Sequence, residues 1–438
     1  MTDKNKWAVN PPMGWNSWDC YGAAVTEEIL KKNADYMAEN LKEFGWEYIV
    51  CDIQWFNPTA DSSHYQDFAD LCVDEYGRVV PAENRFPSAA GGRGFGPIAE
   101  YVHERGLKFG IHIMRGIPRQ AVFMNCPVKG TSYTARQIAH PASICAWNTD
   151  MYGVDANKPG AQEYYDSILE LYASWGVDFI KVDDICVKYG APNDEGTLAY
   201  GGDEIEMLRS AIDKCGRPIV LSLSPGPAIV DKAEHLRKNA NMWRITNDLW
   251  DEWPQLADMF TRCNNWAPFV SEGCFPDCDM LPLGHISIIG CEHGAGERMT
   301  RLTHAEQITM LTLWCIVRSP LMLGCELTDL DDWTKALITN PEVLKLQKNS
   351  RNARQMVRRR NYILWKAEDA ESEDIYAAMF SHAGWEEDFA LKLEDLEEQG
   401  TFEVQDMWTG EKLGEISGSL PIHLDTHGAR LFRLKRQA

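Results

Sequence analysis

The chain has 438 residues, 45% of them apolar, with 43 basic against 65 acidic side chains and a formal net charge of -22. That length suits a large barrel plus an appendage, and that acidity excludes nucleic acid and anionic membranes as partners, since both select basic surfaces. The start, MTDKNKWAVNPPMGWNSW, has no apolar signal core, no apolar run is long enough to cross a bilayer, and 13 unpatterned cysteines predict a reduced, cytoplasmic protein.

Four early segments share one grammar of amphipathic helix, Gly, apolar strand and polar residue: KEFGWEYIVCD, HERGLKFGIHI, ASWGVDFIKVD and DKCGRPIVLSLS. Gly45, Gly106, Gly176 and Gly216 stand where a left-handed helix cap belongs. Residues 26–43 carry a helical stripe of Ile29, Tyr36, Met37 and Leu41 behind Thr26 as N-cap, and residues 161–175 and 203–215 behave alike. Strands alternating with such helices imply a parallel sheet covered on both faces. Further strands are expected at 11–18, 242–247, 267–272 and 320–324. The fold class is therefore α/β, a (β/α)8 TIM barrel. A doubly wound open sheet is the alternative, disfavoured because no Gly-rich phosphate loop follows an early strand.

After about residue 350 the pattern changes to short alternating runs separated by turn residues, which predicts a C-terminal antiparallel β-sandwich. The expected domains are 1–350, the catalytic barrel, and 351–438, the sandwich. Arg358, Arg359 and Arg360 read as a solvated strand edge or turn. Cys274 and Cys278 lie close together, but no second Cys or His pair follows at zinc spacing, so no metal and no cofactor is expected.

Barrel active sites lie at the C-terminal ends of the strands. In VDFIKVDD, alternation puts Phe179, Lys181 and Asp183 on one face and Ile180 and Val182 on the other. The polar face then points into the barrel, where buried charge must be paired. Lys181 beside Asp183 favours the ionised carboxylate, as a nucleophile needs. In NMWRITNDLWDEW, Met242, Arg244 and Thr246 share a face and Asp248 follows the strand as a second acid, with Asp251 and Glu252 as competitors better explained by the next helix's N-terminus. Paired carboxylates with Trp18, Trp55 and Trp243 nearby point to glycoside hydrolysis.

These motifs are similar to those of glycoside hydrolase family 27, the α-galactosidase and α-N-acetylgalactosaminidase family. The resemblance spans the chain, through PPMGWNSW, VDFIKVDD, NMWRITNDLWDEW, FPDCDMLPLG, HAEQITMLTLWCIVRSPLMLG and the sandwich tail. It implies a retaining mechanism, with Asp183 as nucleophile and Asp248 as acid/base, their carboxyls roughly 5–5.5 Å apart. It also implies that Lys181, Arg244, Asp52 and Asp279 bind the sugar and that Trp18 forms an aromatic wall.

Three departures bear on substrate. The family's usual pair of Asp residues is Asp52-Ile53 here. Its usual Tyr on the third strand is His112, read either as a satisfied strand-end histidine or as a sugar contact. Its Cys-Glu-Trp on the fifth strand is SLSPGPA, which sets Ser224 against the sugar's 2-substituent. Ile53 cannot accept a hydrogen bond from the exocyclic hydroxymethyl of galactose, a loss of roughly 1–3 kcal/mol. β-L-Arabinopyranose is the same ring without that group. The expected activity is a retaining β-L-arabinopyranosidase acting on small carbohydrates. The alternatives are an α-galactosidase, then an α-N-acetylgalactosaminidase, and, in another class, a non-catalytic sugar-binding barrel. A metal-dependent hydrolase is disfavoured, because no paired His motif ends a strand. The quaternary state stays open, a homo-oligomer included.

Overall fold

A computed structural model describes residues 3–188, 200–290 and 296–437. Eight parallel strands form the barrel: β1 (Met13–Asn16), β2 (Tyr48–Cys51), β3 (Lys108–Met114), β4 (Phe179–Asp183), β5 (Val220–Leu223), β6 (Met242–Arg244), β7 (Phe275–Asp277) and β8 (Leu321–Leu323). They pair in chain order from β1 to β7, and β8 returns beside β1. The ring closes just past β7, where the Leu281 amide donates to the Met322 carbonyl (2.7 Å) and Leu281 bridges Leu323.

A helix follows each strand: α1 (Glu27–Asn40), α2 (Gly96–Glu104), α3 (Ala161–Ser174), α4 (Gly202–Lys214), α5 (Ala233–Asn239), α6 (Trp253–Trp266), α7 (His304–Ile316) and α8 (Pro341–Asn349). The Thr26 hydroxyl caps α1 by accepting from the Ile29 amide. Gly45, Gly106, Gly176 and Gly216 all take the positive φ expected where a helix turns into a strand.

The expected strand at 267–272 is absent. Ala267–Phe269 is a 3-10 turn that prolongs α6, and the seventh strand is the shorter Phe275–Asp277. Pro276 and Asp277 are poor strand formers, so that segment carries little strand signal. In a three-residue strand most backbone groups are satisfied at the ends, so the missing proline N–H costs little.

Alternation along the strands sorts the interior. Tyr48, Val50, Phe179, Val220, Met242, Phe275, Met280 and Met322 form one buried apolar cluster inside the barrel, while Ile49, Ile180, Val182, Leu221 and Trp243 join the core beneath the helices. The apolar plug gives way to polar residues toward the strands' C-terminal ends, where the open cavity lies.

The C-terminal domain begins as α8 ends at Asn349. It comprises β9 (Ser350–Arg358), β10 (Tyr362–Asp369), β11 (Ile375–Ser381), β12 (Glu387–Lys392), β13 (Phe402–Asp406), β14 (Lys412–Ile416), β15 (Ser419–Leu424) and β16 (Ala429–Arg436). The larger sheet runs β9-β10-β11-β16-β13-β14, and β12 and β15 pair across from it. All strand pairs are antiparallel. Arg358, Arg359 and Arg360 are exposed at the β9–β10 turn. The other face of the sheet joins the main core through Ile363, Trp365, Tyr376, Phe380 and Leu431. Helix α7 packs against β16 and β11 and is buried from Thr309 to Ile316. Thr309 Oγ1 donates to the His427 carbonyl (2.6 Å), and the Trp408 indole donates to Thr312 Oγ1 (2.9 Å).

Candidate active site

At the C-terminal mouth of the barrel is a cavity of about 300 Å³ lined by Trp18, Asp52, His112, Lys181, Asp183, Arg244, Asp248 and Asp279, among others. They come from six of the eight barrel strands or from the residues just past them. The strands therefore gather into one space residues that lie far apart in sequence.

Asp183 ends β4 and points inward, as alternation requires. Its Oδ2 lies 3.1 Å from His112 Nε2, and its Oδ1 accepts from the Asp184 amide at 2.8 Å. Burial pushes its carboxyl toward the neutral form. The His112 hydrogen bond, with the charges of His112, Lys181 and Arg244, outweighs burial and holds it well below the usual carboxylate range. The strand-end histidine is thus tied to the nearby carboxylate while lining the cavity.

Lys181 pairs with Asp52 rather than with Asp183: its Nζ lies 3.0 Å from Asp52 Oδ2, and it acts on Asp183 only through its field. Asp52 Oδ2 also accepts from Asn16 Nδ2 (2.7 Å), and its Oδ1 accepts from the Ile53 amide (2.8 Å). Burial opposes its ionisation, but Lys181, His112 and these donors keep it below the usual range.

Arg244 is 5% exposed and spans two carboxylates. Nη1 donates to Asp279 Oδ1 at 2.9 Å and Nη2 donates to Asp248 Oδ1. Asp279 is fixed further by the Leu249 and Met280 amides, both at 2.8 Å, and by the Trp314 indole on its carbonyl (3.1 Å). It holds φ of 81°, a left-handed conformation rare outside glycine. The Asp248 side chain is 63% exposed, against 13% for Asp183, so one carboxyl faces the solvent side and the other the cavity floor.

Several expected site residues lie elsewhere. Ile53 does follow the turn that ends β2, but it is 1% exposed and packs in the main core rather than among the cavity-lining residues. Ser224 is absent from the lining as well. It borders a small void inside the barrel with Asn16, Ser222 and Asp277, because the chain turns at Pro225, which takes the cavity-facing place. Trp55 and Trp243 are core residues with no exposure. Trp55 donates its indole N–H to the His112 carbonyl, and Trp243 packs on Trp266. Asp251 is fully buried and gripped by Arg298 and Arg301, a structural anchor of the loop after β7. Cys274 contacts Lys4 and Asn5, whereas Cys278 faces Cys263. Among the described residues no group of three or more His, Cys, Asp or Glu is placed to hold a metal.

Three aromatic lining residues escaped the sequence reading. Tyr65, from the loop after β2, stacks on Trp18 (centroids 5.8 Å apart) and contacts Trp147 from the loop after β3 (5.5 Å). Together with Trp18 they make a continuous aromatic wall leading out of the cavity. Trp250, two residues past Asp248, lines the cavity as well. The length of those two loops was the one signal available.

A family model described as alpha galactosidase A matches residues 10–158 and 150–349, and one described as the alpha galactosidase C-terminal beta sandwich domain matches 360–434. The chain belongs to glycoside hydrolase family 27. A β-L-arabinopyranosidase of this family from Geobacillus stearothermophilus, solved in complex with arabinose, is 53% identical, with a TM-score of 0.96 over 100% of this chain and 99% of that one. An α-galactosidase from Cyamopsis tetragonoloba is 24% identical over 98% of this chain and 87% of that protein. An α-galactosidase from Mortierella vinacea shares the fold at 20% identity, with a TM-score of 0.73 over 99% of each chain. As a family 27 member the protein is a glycoside hydrolase, built as a TIM barrel with a β-sandwich.

Proposed function

We propose that the protein is a retaining exo-glycosidase that releases terminal β-L-arabinopyranosyl units from small glycosides. The observation that carries this reading is the 53% identity to a family 27 β-L-arabinopyranosidase over the full chain. Ile53 beside Asp52 supports it. Where a second acid would bind the exocyclic hydroxymethyl of a galactoside, this chain offers only an apolar side chain packed behind the cavity wall.

In this reading Asp183, kept ionised by His112, Lys181 and Arg244, attacks the anomeric carbon and forms a glycosyl ester. Asp248, on the solvent side and steered by Arg244, gives its proton to the departing oxygen. It then takes a proton from the water that cleaves the ester. Asp52, Lys181 and Asp279 bind ring hydroxyls. A ring of this size leaves room in the cavity for part of the leaving group against Tyr65 and Trp147. The reduced state of the described cysteines fits a cytoplasmic setting, where substrates arrive as imported small glycosides.

The test is turnover of p-nitrophenyl glycosides, with NMR of the first-formed anomer. The expected ranking places β-L-arabinopyranoside above α-D-galactoside, with the α-N-acetylgalactosaminide last and configuration retained. The reverse ranking, or an inverted product, overturns it.

A further inference from the structure

The cavity holds one more carboxyl that the mechanism leaves unused. Asp19 sits on the single turn Trp18–Tyr21 that follows β1, lines the cavity, and is 5% exposed. Its Oδ2 is buried with no hydrogen-bond partner among the described residues. The backbone around it is fixed, since the Asp19 carbonyl accepts from the Ser287 amide at 2.7 Å. Gly324 leaves it no retreat: a Cβ there would lie 2.0 Å from Asp19 Oδ2. The carboxyl is therefore pinned between the Gly324 backbone and the cavity.

Other buried acids have a partner on at least one oxygen: Asp150 and Asp184 each leave Oδ1 unmet, but Asp150 accepts from Gln54 and Asp184 pairs with Arg115. Asp251 is met by two arginines and the Arg301 amide. Even Asp52, in the same cavity, is engaged by Asn16, Lys181 and the Ile53 amide. A polar group buried without a partner is costly and calls for an explanation, and functional sites are where such departures are expected.

We propose that Asp19 is a further substrate-binding residue of this site, its carboxylic acid donating a hydrogen bond to a hydroxyl oxygen of the bound sugar. Donation requires the neutral acid. Burial and the nearby Asp279, Asp248 and Asp52 push the Asp19 carboxyl well above the usual range, with Lys181 the opposing charge. The inference rests on the reading of the cavity as a glycoside site, but not on which glycoside it takes.

The test compares D19N and D19L with the wild type on whichever p-nitrophenyl glycoside the wild type turns over best, alongside thermal melts. D19L should lose about tenfold or more in kcat/KM, mainly through a raised KM, while its Tm holds or rises because an unpartnered acid has been removed. D19N keeps a donor of similar shape and should lose severalfold less. If D19L fails to fold, D19A takes its place. A D19L variant within twofold of wild type overturns the proposal, and so does a fall in Tm with KM unchanged. D19N as damaging as D19L removes the donor role. A wild type that prefers the galactoside sinks the substrate assignment above and leaves this comparison intact.

Discussion

His112 Nε2 sits 3.1 Å from Asp183 Oδ2, across the β3–β4 pair in which His112 lies in register with Lys181. One imidazole thus reaches past the lysine beside it to hold the carboxylate two residues further on. The arrangement fixes the rotamer of Asp183 and favours its charge at once.

Replacing His112 by Phe should therefore weaken an acidic limb. Asp183 must be ionised to attack, and loss of the hydrogen bond raises its pKa, so the acid limb of kcat/KM should move to higher pH by about one unit. Stability changes in the same sense. The folded pKa of Asp183 lies below its unfolded value of about 3.9. Its stabilising contribution is present above that value and is lost as pH falls through the folded pKa. His112→Phe should shrink this contribution and flatten acid unfolding. An unmoved limb would show that His112 does not tune Asp183.

Arg244→Lys should lower kcat by about two orders of magnitude with a milder effect on KM. A single ammonium cannot bridge Asp248 and Asp279 as the guanidinium fork does. Steady-state kinetics at fixed pH check this, and a variant with unchanged kcat would contradict the bridging role.

Ile53→Asp should shift preference toward the α-D-galactoside by about tenfold, equivalent to about 1.4 kcal/mol. It should also lower Tm, since Ile53 is fully packed. The ratio of kcat/KM for the two substrates in one preparation is independent of the folded fraction, so the two effects separate. A constant ratio would remove Ile53 from the specificity argument.

Asp277 lies inside the barrel below the site, where burial and Asp279 push its carboxyl up to about 7, against Arg244. A folded pKa above the unfolded one means that stability falls as pH rises from about 4 to 7 and stays at that lower level above it. Asp277→Asn keeps an oxygen for the Asp279 amide that Asp277 Oδ1 now receives, and it should stabilise the protein by about 1–3 kcal/mol at pH 8 but little at pH 4. Melting curves at the two pH values decide it.

What the sequence revealed followed from periodicity. The period of two in FIKVD placed Lys181 and Asp183 inside, and the helix–Gly–strand phrase placed most of the barrel strands. The same rule, applied strictly, would have put Trp243 outside, because it has the opposite parity to Met242 and Arg244; the structure puts it there. Contacts across long sequence separations were beyond reach. Nothing local tells Lys181 to choose Asp52, 129 residues away, over Asp183, two residues away. Ile53 and Ser224 were misplaced for a related reason: both sit just past a strand end, where the period of two stops and turn geometry decides direction. Asp248 was legible as an acid just past β6, but it lies on neither strand nor helix, so no periodicity fixed its direction.

Helix α7 carries a last consequence. Buried from Thr309 to Ile316, it meets the sandwich on one side and, through Trp314, supports Asp279 in the site on the other. A barrel severed near residue 350 would present that greasy helix to water and slacken the pocket it braces. The two domains should melt in one transition, and a truncated product should be a chaperone client rather than a minimal enzyme.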